Sequence, residues 1–193
     1  MPKTRQLLRR EVTYSDVKDE EFNILHQLEY YDAQTQFFRR LYDKRDSMKV
    51  AVAHHLGLNS SSECYVSDTK DWLHGSFNVL VPVKINCWAG KQVLMRFPLP
   101  YRIGESFRPG NCDEKVRCEA GAYAWLQENC PDVPIPQLYG FSLSSGETVQ
   151  ATTSCASLSS LLTDNSLLGS NTCHFSLGVT SSYAGTSFHG WGD

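Results

Sequence analysis

Apolar residues recur at helical spacing from Asp19 to about Leu56: Phe22, Leu25 and Leu28, then Phe37, Phe38, Leu41 and Tyr42. Arg39, Arg40, Lys44 and Arg45 fill the other side, as in an amphipathic helix with one face turned to a core. Ser47 is placed to cap a second, short helix over Met48–Leu56 that stops at Gly57. After the polar loop "GLNSSSEC" the period of the pattern drops to two. "CYVSDTKDWLHGSFNVLVPVKINCWAGKQVLMRFPLP" alternates apolar and polar residues, is rich in Val, and carries turn residues at His74–Ser76 and Trp88–Gly90. It predicts three antiparallel strands joined by tight turns. Pro82 lies within the middle strand and predicts an edge position or a bulge, because proline has no N–H to give to a ladder.

The loop "YRIGESFRPGNC" leads into a helix predicted to start at Asp113, "DEKVRCEAGAYAWLQENC". Its acidic first turn suits the positive end of the helix dipole. Val116, Ala120, Tyr123 and Ala124 share one face, and Pro131 ends the element. Leu138–Leu143 is predicted to be a further strand, followed by a turn at "SSGE". Beyond Glu147 the chain is dominated by Ser, Thr, Gly and Leu, with Asp164 and Asp193 its only charged residues and no sustained period. The expected division is therefore a flexible N-terminus (1–18), a folded unit (19–147) and a low-complexity, disordered tail (148–193).

With 41% hydrophobic and 20% charged residues, the 193-residue chain has the composition of a soluble globular domain. A formal net charge of −3 argues against a nucleic-acid partner. No apolar run is long enough to span a bilayer. The opening "MPKTRQLLRREVTYSD" has no apolar core for a secretory leader and soon turns acidic. The seven cysteines (Cys64, Cys87, Cys112, Cys118, Cys130, Cys155 and Cys173) form no C-x-x-C pair. Free thiols in a reducing, cytoplasmic setting are the expectation.

Arg96 stands out in "KQVLMRFPLP", where Val93, Leu94, Met95 and Phe97 call for a core. A solvent-facing position, a structural ion pair and an anion contact are all open to it. Upstream lies a turn with Gly75 and Ser76 between two strands, and downstream Glu119 lies within the predicted helix. A strand–turn–strand flap, a cation on the next strand and an acid on the following helix is how kinases hold nucleotide phosphates. The acid is physically required, because a buried guanidinium is costly unless a carboxylate neutralises and aims it. Other constellations offer less. His54 and His55 point about 100° apart on a helix and cannot clamp one metal. Ser154–Ser160, Asp164 and His174 lack any G-x-S-x-G setting. Trp72, Trp88 and Trp125 are expected to be core and hairpin anchors.

The stretches "GSFNVLVPVKI", "VLMRFPLP" and "DEKVRCEAGAYAWLQENCPDVPIPQLYGFSLSSGE" resemble the amino-terminal lobe of the aminoglycoside phosphotransferase family, in the protein-kinase-like superfold. Its large fungal branch is the most similar, and "AVAHHLGL" and the W-x-x-G-S-F-N phrase share the likeness, which covers roughly residues 26–147. The resemblance implies an α+β fold: a kinase-like N-lobe, with a small antiparallel sheet and one packed helix, preceded by N-terminal helices and followed by a largely irregular tail. It implies ATP-dependent phosphoryl transfer to a small-molecule hydroxyl, with ATP and magnesium as cofactors. Gly75, Ser76, Phe77 and Asn78 would form the nucleotide-covering loop. Arg96 would replace the usual phosphate-contacting Lys, as a planar fork rather than a point charge, and Glu119 would pair with it. Val79, Val81 and the Leu94 region would line the adenine side.

Members of that family continue from this point into a hinge strand and a helical lobe with a His-x-Asp catalytic loop and a second, magnesium-binding Asp. After Glu147 the only histidines are His174 and His189, and neither is followed two positions later by Asp. No catalytic residue and no metal ligand is therefore assigned. The expectation is an incomplete kinase-like protein that binds nucleotide weakly and does not transfer phosphate. The alternative is a non-catalytic binding or regulatory module that docks a protein partner on its exposed sheet face. The tail is similar in character to a shifted reading frame or a retained intron; a transcript running through the Glu147 codon in one uninterrupted frame refutes that origin.

Overall fold

A computed structural model describes residues 3–18, 24–88, 92–150 and 175–180. The chain begins with a small antiparallel hairpin, β1 (Thr4–Gln6) and β2 (Glu11–Thr13), with Arg5 opposite Val12. Thr13 then caps the single-turn helix α1 (Tyr14–Val17). Its hydroxyl accepts from Asp16 N at 3.3 Å, while its own N–H donates to the Asp16 carboxylate at 2.7 Å. Within the 1–18 stretch, expected to be a flexible lead-in, residues 3–18 thus carry local structure. Its strands are too short and too charged to show in a hydrophobic pattern.

From Ile24 onward the long helical stripe resolves into a 3-10 turn at Ile24–Gln27 and two helices, α2 (Tyr30–Asp43) and α3 (Arg45–Leu56), while its start at 19–23, with Phe22, lies outside the described residues. The break falls at Lys44, where the backbone leaves the helical region (φ −92°, ψ 12°). The Arg45 guanidinium lies 3.4 Å over the Tyr42 ring, and its Nε donates to the Tyr42 carbonyl at 2.9 Å, which fixes the corner. Helix α3 therefore starts before Ser47, and the predicted cap at that serine is not used. Gly57 ends α3 in the left-handed region (φ 64°), as its position implied.

The main sheet is built from β3 (Cys64–Val66), β4 (Leu73–His74), β5 (Asn78–Ile85), β6 (Gln92–Pro98), β7 (Gln137–Ser142), β8 (Thr148–Gln150) and β9 (Phe175–Thr180). Its strand order is β3-β5-β6-β9-β7-β8, with β4 also pairing β5, and every pairing is antiparallel. Pro82 is neither on an edge strand nor in a bulge. It pairs with Leu94 on one side, and on the other it meets the gap between β3 and β4, where its carbonyl accepts from Ser67 N at 2.9 Å. The missing N–H therefore costs no ladder bond.

Period-two alternation divides the sheet into two faces. Val79, Val81, Val83, Val93, Met95 and Phe97 are all but fully buried and join Phe37, Leu41, Met48, Val52 and Trp72 in one core against α2 and α3. Each such side chain contributes about 1.5–3 kcal/mol on burial. Leu80, Leu94 and Arg96 take the other face, where the long helix α5 (Asn111–Asn129) packs through the buried Cys112, Val116 and Ala120. A short helix, α4 (Pro100–Ile103), leads from β6 toward α5. Trp72 is buried, with Nε1 donating to the Ser67 carbonyl at 3.0 Å, but Trp125 is 58% exposed on α5 rather than a core anchor.

The 148–193 stretch was expected to be irregular, yet two of its segments are strands. Thr148–Gln150 pairs with β7, and Phe175–Thr180 lies between β6 and β7. The second has a signal of its own, since "FSLGVT" alternates apolar residues with Ser, Gly and Thr. The surrounding Ser/Thr/Gly/Leu composition masks it. The rest of that stretch, with Ser154–Ser160, Asp164, His174 and His189, lies outside the described residues.

Candidate functional site

The six residues singled out for nucleotide binding fall into two groups. Gly75, Ser76 and Phe77 form the turn between β4 and β5. Gly75 N donates to the Asn78 carbonyl at 2.9 Å, and Leu99 N donates to the Phe77 carbonyl at 2.8 Å, which ties the turn to the end of β6. A Cβ on Gly75 would stand 3.3 Å from the Asn78 oxygen, so the tightness of this turn favours glycine. The Phe77 side chain points outward, 54% exposed.

Asn78, Arg96 and Glu119 meet. Asn78 and Arg96 are diagonal neighbours on one face of the β5–β6 pair. With its amide assigned so that the oxygen faces the guanidinium, Asn78 accepts from Arg96 Nε at 3.2 Å and Nη2 at 3.0 Å, and its nitrogen donates to the Phe77 carbonyl at 3.2 Å. From α5, the Glu119 carboxylate stands 3.5 Å from Arg96 Nε. Arg96 is thus neither buried among the apolar residues beside it in sequence nor simply solvated. It sits on the opposite face from them, paired and one-third exposed.

Lys115, one turn earlier on α5, donates to Glu119 Oε1 at 2.6 Å. Two cations therefore share one carboxylate, leaving the cluster with a net positive charge. Lys115 was not singled out from the sequence, although its i,i+4 spacing to Glu119 is a legible signal. Val79 and Val81, expected on the adenine side, belong to the opposite face and the main core. Leu80 and Leu94 are the leucines of β5 and β6 that share the Arg96 face.

The position of α5, and with it of Glu119, is set by two other carboxylates. Glu105 accepts from Gly110 N at 2.7 Å and Cys112 N at 2.6 Å, capping the helix from outside its own sequence. This placement also complements the helix dipole. Gly110 occupies the N-cap position with φ 102° and offers no side chain, so the usual cap signature is absent. Asp113 accepts from Ser144 N at 2.8 Å and Ser144 Oγ at 2.6 Å, tying the first turn of α5 to the segment after β7.

Burial, and then the hydrogen bond to Glu105, pushes the Cys112 thiol well above its usual range. Burial, followed by the nearby Glu63 charge, raises Cys64. Neither is a ready nucleophile. Cys64, Cys87, Cys112, Cys118 and Cys130 are free thiols. On the far side of the sheet, burial and then the adjacent His54 lower His55 to about 4. Among the described residues no three His, Cys, Asp or Glu side chains gather as a metal site, and no helix is long and apolar enough to cross a membrane. The chain matches no family model, no curated protein and no solved structure.

Proposed function

We propose that this chain is the nucleotide-holding lobe of an aminoglycoside-phosphotransferase-like, kinase-like protein, and that Arg96 contacts the phosphates of ATP. The observation that carries this is the cluster of Asn78, Arg96, Lys115 and Glu119 beneath the β4–β5 turn. A guanidinium held by a carboxylate from α5 and an amide from the base of the flap is pre-aimed, and the second cation leaves positive charge to spare for an anion. Gly75, Ser76 and Phe77 are then the covering loop, and Leu80 and Leu94 the apolar surface beside the base.

Magnesium does not fit this cluster. Its carboxylate, Glu119, is already engaged by two cations, and among the described residues it belongs to no group of three or more His, Cys, Asp or Glu side chains that could hold a metal ion. The chain's own residues also supply no His-x-Asp pair to orient an acceptor hydroxyl. On this reading the residues of this chain account for holding nucleotide and not for orienting the acceptor. Calorimetric titration with ATP, with and without magnesium, tests the assignment. Loss of a charge-assisted contact of about 1.5–3 kcal/mol weakens binding by Arg96→Ala roughly 10- to 150-fold. Tight binding that survives the substitution refutes the role.

A second reading, a non-catalytic module that uses the lobe as a scaffold for a protein partner, is favoured by the completeness of the sheet. Its central position is filled by the chain's own β9. It predicts a stable particle of defined size by size-exclusion chromatography and no ATP binding at all.

A further inference from the structure

We propose that β6 and β7 form a strand-acceptor site, and that Phe175–Thr180 is the exchangeable peptide that occupies it. β9 runs antiparallel to both walls. Val179, Leu177 and Ser176 are in register with Val93, Met95 and Arg96 of β6, while Gly178, Leu177 and Ser176 are in register with Leu138, Gly140 and Phe141 of β7. Two strands flanking a third stand roughly 10 Å apart, twice the inter-strand spacing, so the walls cannot bond each other directly. With the filler removed, their inner N–H and C=O groups lose their ladder.

Each wall is nonetheless held from outside. β6 is paired along its other edge with β5, from Asn78 opposite Pro98 to Lys84 opposite Gln92. β7 is paired with β8, and Asp113 grips Ser144 just beyond it. On the α3 side, a Cβ at Gly140 would strike the His55 ring, so imidazole and strand backbone are in close approach, and Gln150 Nε2 donates to the His55 carbonyl at 3.1 Å. The slot is thus framed by parts of the fold that precede β9 in sequence. Its ligand class follows from the filler: an extended six-residue segment alternating apolar and Ser/Gly/Thr residues, bound through main-chain hydrogen bonds on both edges. The irregularity in β7 between Leu138 and Gly140 fixes the register, because a slip would misplace it. The inference does not depend on nucleotide binding.

Hydrogen exchange on the intact chain gives the first test: amides of 175–180 exchange at least roughly 100-fold more slowly than in a free peptide, since a strand bonded along both edges is protected for as long as it occupies the slot. The second uses the full chain carrying Leu177→Pro and Val179→Pro, which removes ladder donors, and a fluorescein-labelled peptide of residues 174–182. The variant melts at lower temperature and binds the peptide, and the peptide raises its melting temperature. The parent binds it roughly 100-fold more weakly, because its tethered strand competes at an effective concentration on the order of mM. If the variant does not fold alone, recovery of a melting transition on adding the peptide is the expected result. Free-peptide exchange rates at 175–180 in the parent overturn the proposal. So do a variant with the parental melting temperature, a variant that neither captures the peptide nor recovers with it, and equal capture of a scrambled peptide.

Discussion

Lowering the pH from 7.5 to 4.5 perturbs one buried group above all, His55. Its imidazole is 3% exposed, pressed between α3 and the backbone of β7, and burial lowers it from 6.5 to about 4. Above pH 6.5 the ring is neutral in both folded and unfolded chains and contributes no pH dependence. Below that, the unfolded chain takes up a proton that the folded chain refuses, so stability falls until the pH reaches the folded value near 4. The separation between 6.5 and about 4 corresponds to a total loss of about 3 kcal/mol. For a chain of this size that is a fall of roughly 6–12 °C in melting temperature. Urea denaturation at half-unit pH steps, on the parent and on His55→Gln, isolates this contribution from carboxylates that titrate in both. The difference between the two curves should open below pH 6.5 and level off near pH 4. Parallel curves across that window would show that His55 is not held neutral by the fold and would refute the reasoning.

Gly140→Ala places a methyl group within 2.5 Å of the Val149 carbonyl oxygen and against the His55 ring, so the variant should be less stable by about 1–3 kcal/mol in urea melts. Glu105→Ala removes the acceptor for two N–H groups at the start of α5 and should cost about 1–2 kcal/mol, read as an earlier thermal transition. A double-mutant cycle on Arg96→Ala and Glu119→Gln should return a coupling of only about 0.5–1 kcal/mol, because both groups retain contact with solvent. Titration with a thiol reagent at pH 8 should label the exposed Cys87 and Cys118 at once and reach Cys64 and Cys112 only on unfolding.

The parts of the fold that follow a single period were legible from the chain alone. β5, β6 and β7 lie close to where alternation placed them, and α5 starts two residues before the predicted Asp113. The corner at Lys44 was misplaced to Ser47, because Tyr42 and Arg45 read as opposite sides of one continuous amphipathic helix and only the stacking of the guanidinium on the ring marks the break. The meeting of Arg96 with Glu119 was anticipated from the need of a partially buried guanidinium for a partner. The orientation of the adjacent valines was not, because a strand covered on both faces gives alternation no polar side to read. Glu105 as a cap, and the tie from Asp113 to Ser144, escaped notice for a different reason: both carboxylates hold groups brought near by the loop and by the segment after β7, and no local spacing encodes that.

The place of β9 also bears on the order in which the molecule can be made. Synthesis delivers the β5–β6 pair and the β7–β8 hairpin well before residues 175–180 emerge, so the sheet waits with two inward edges unsatisfied. Closing it requires contacts between segments far apart in sequence, which slows folding and prolongs the interval in which bare edges can meet another chain. The stretch of sequence with the least apparent pattern is therefore the one whose arrival ends the period of greatest exposure to aggregation.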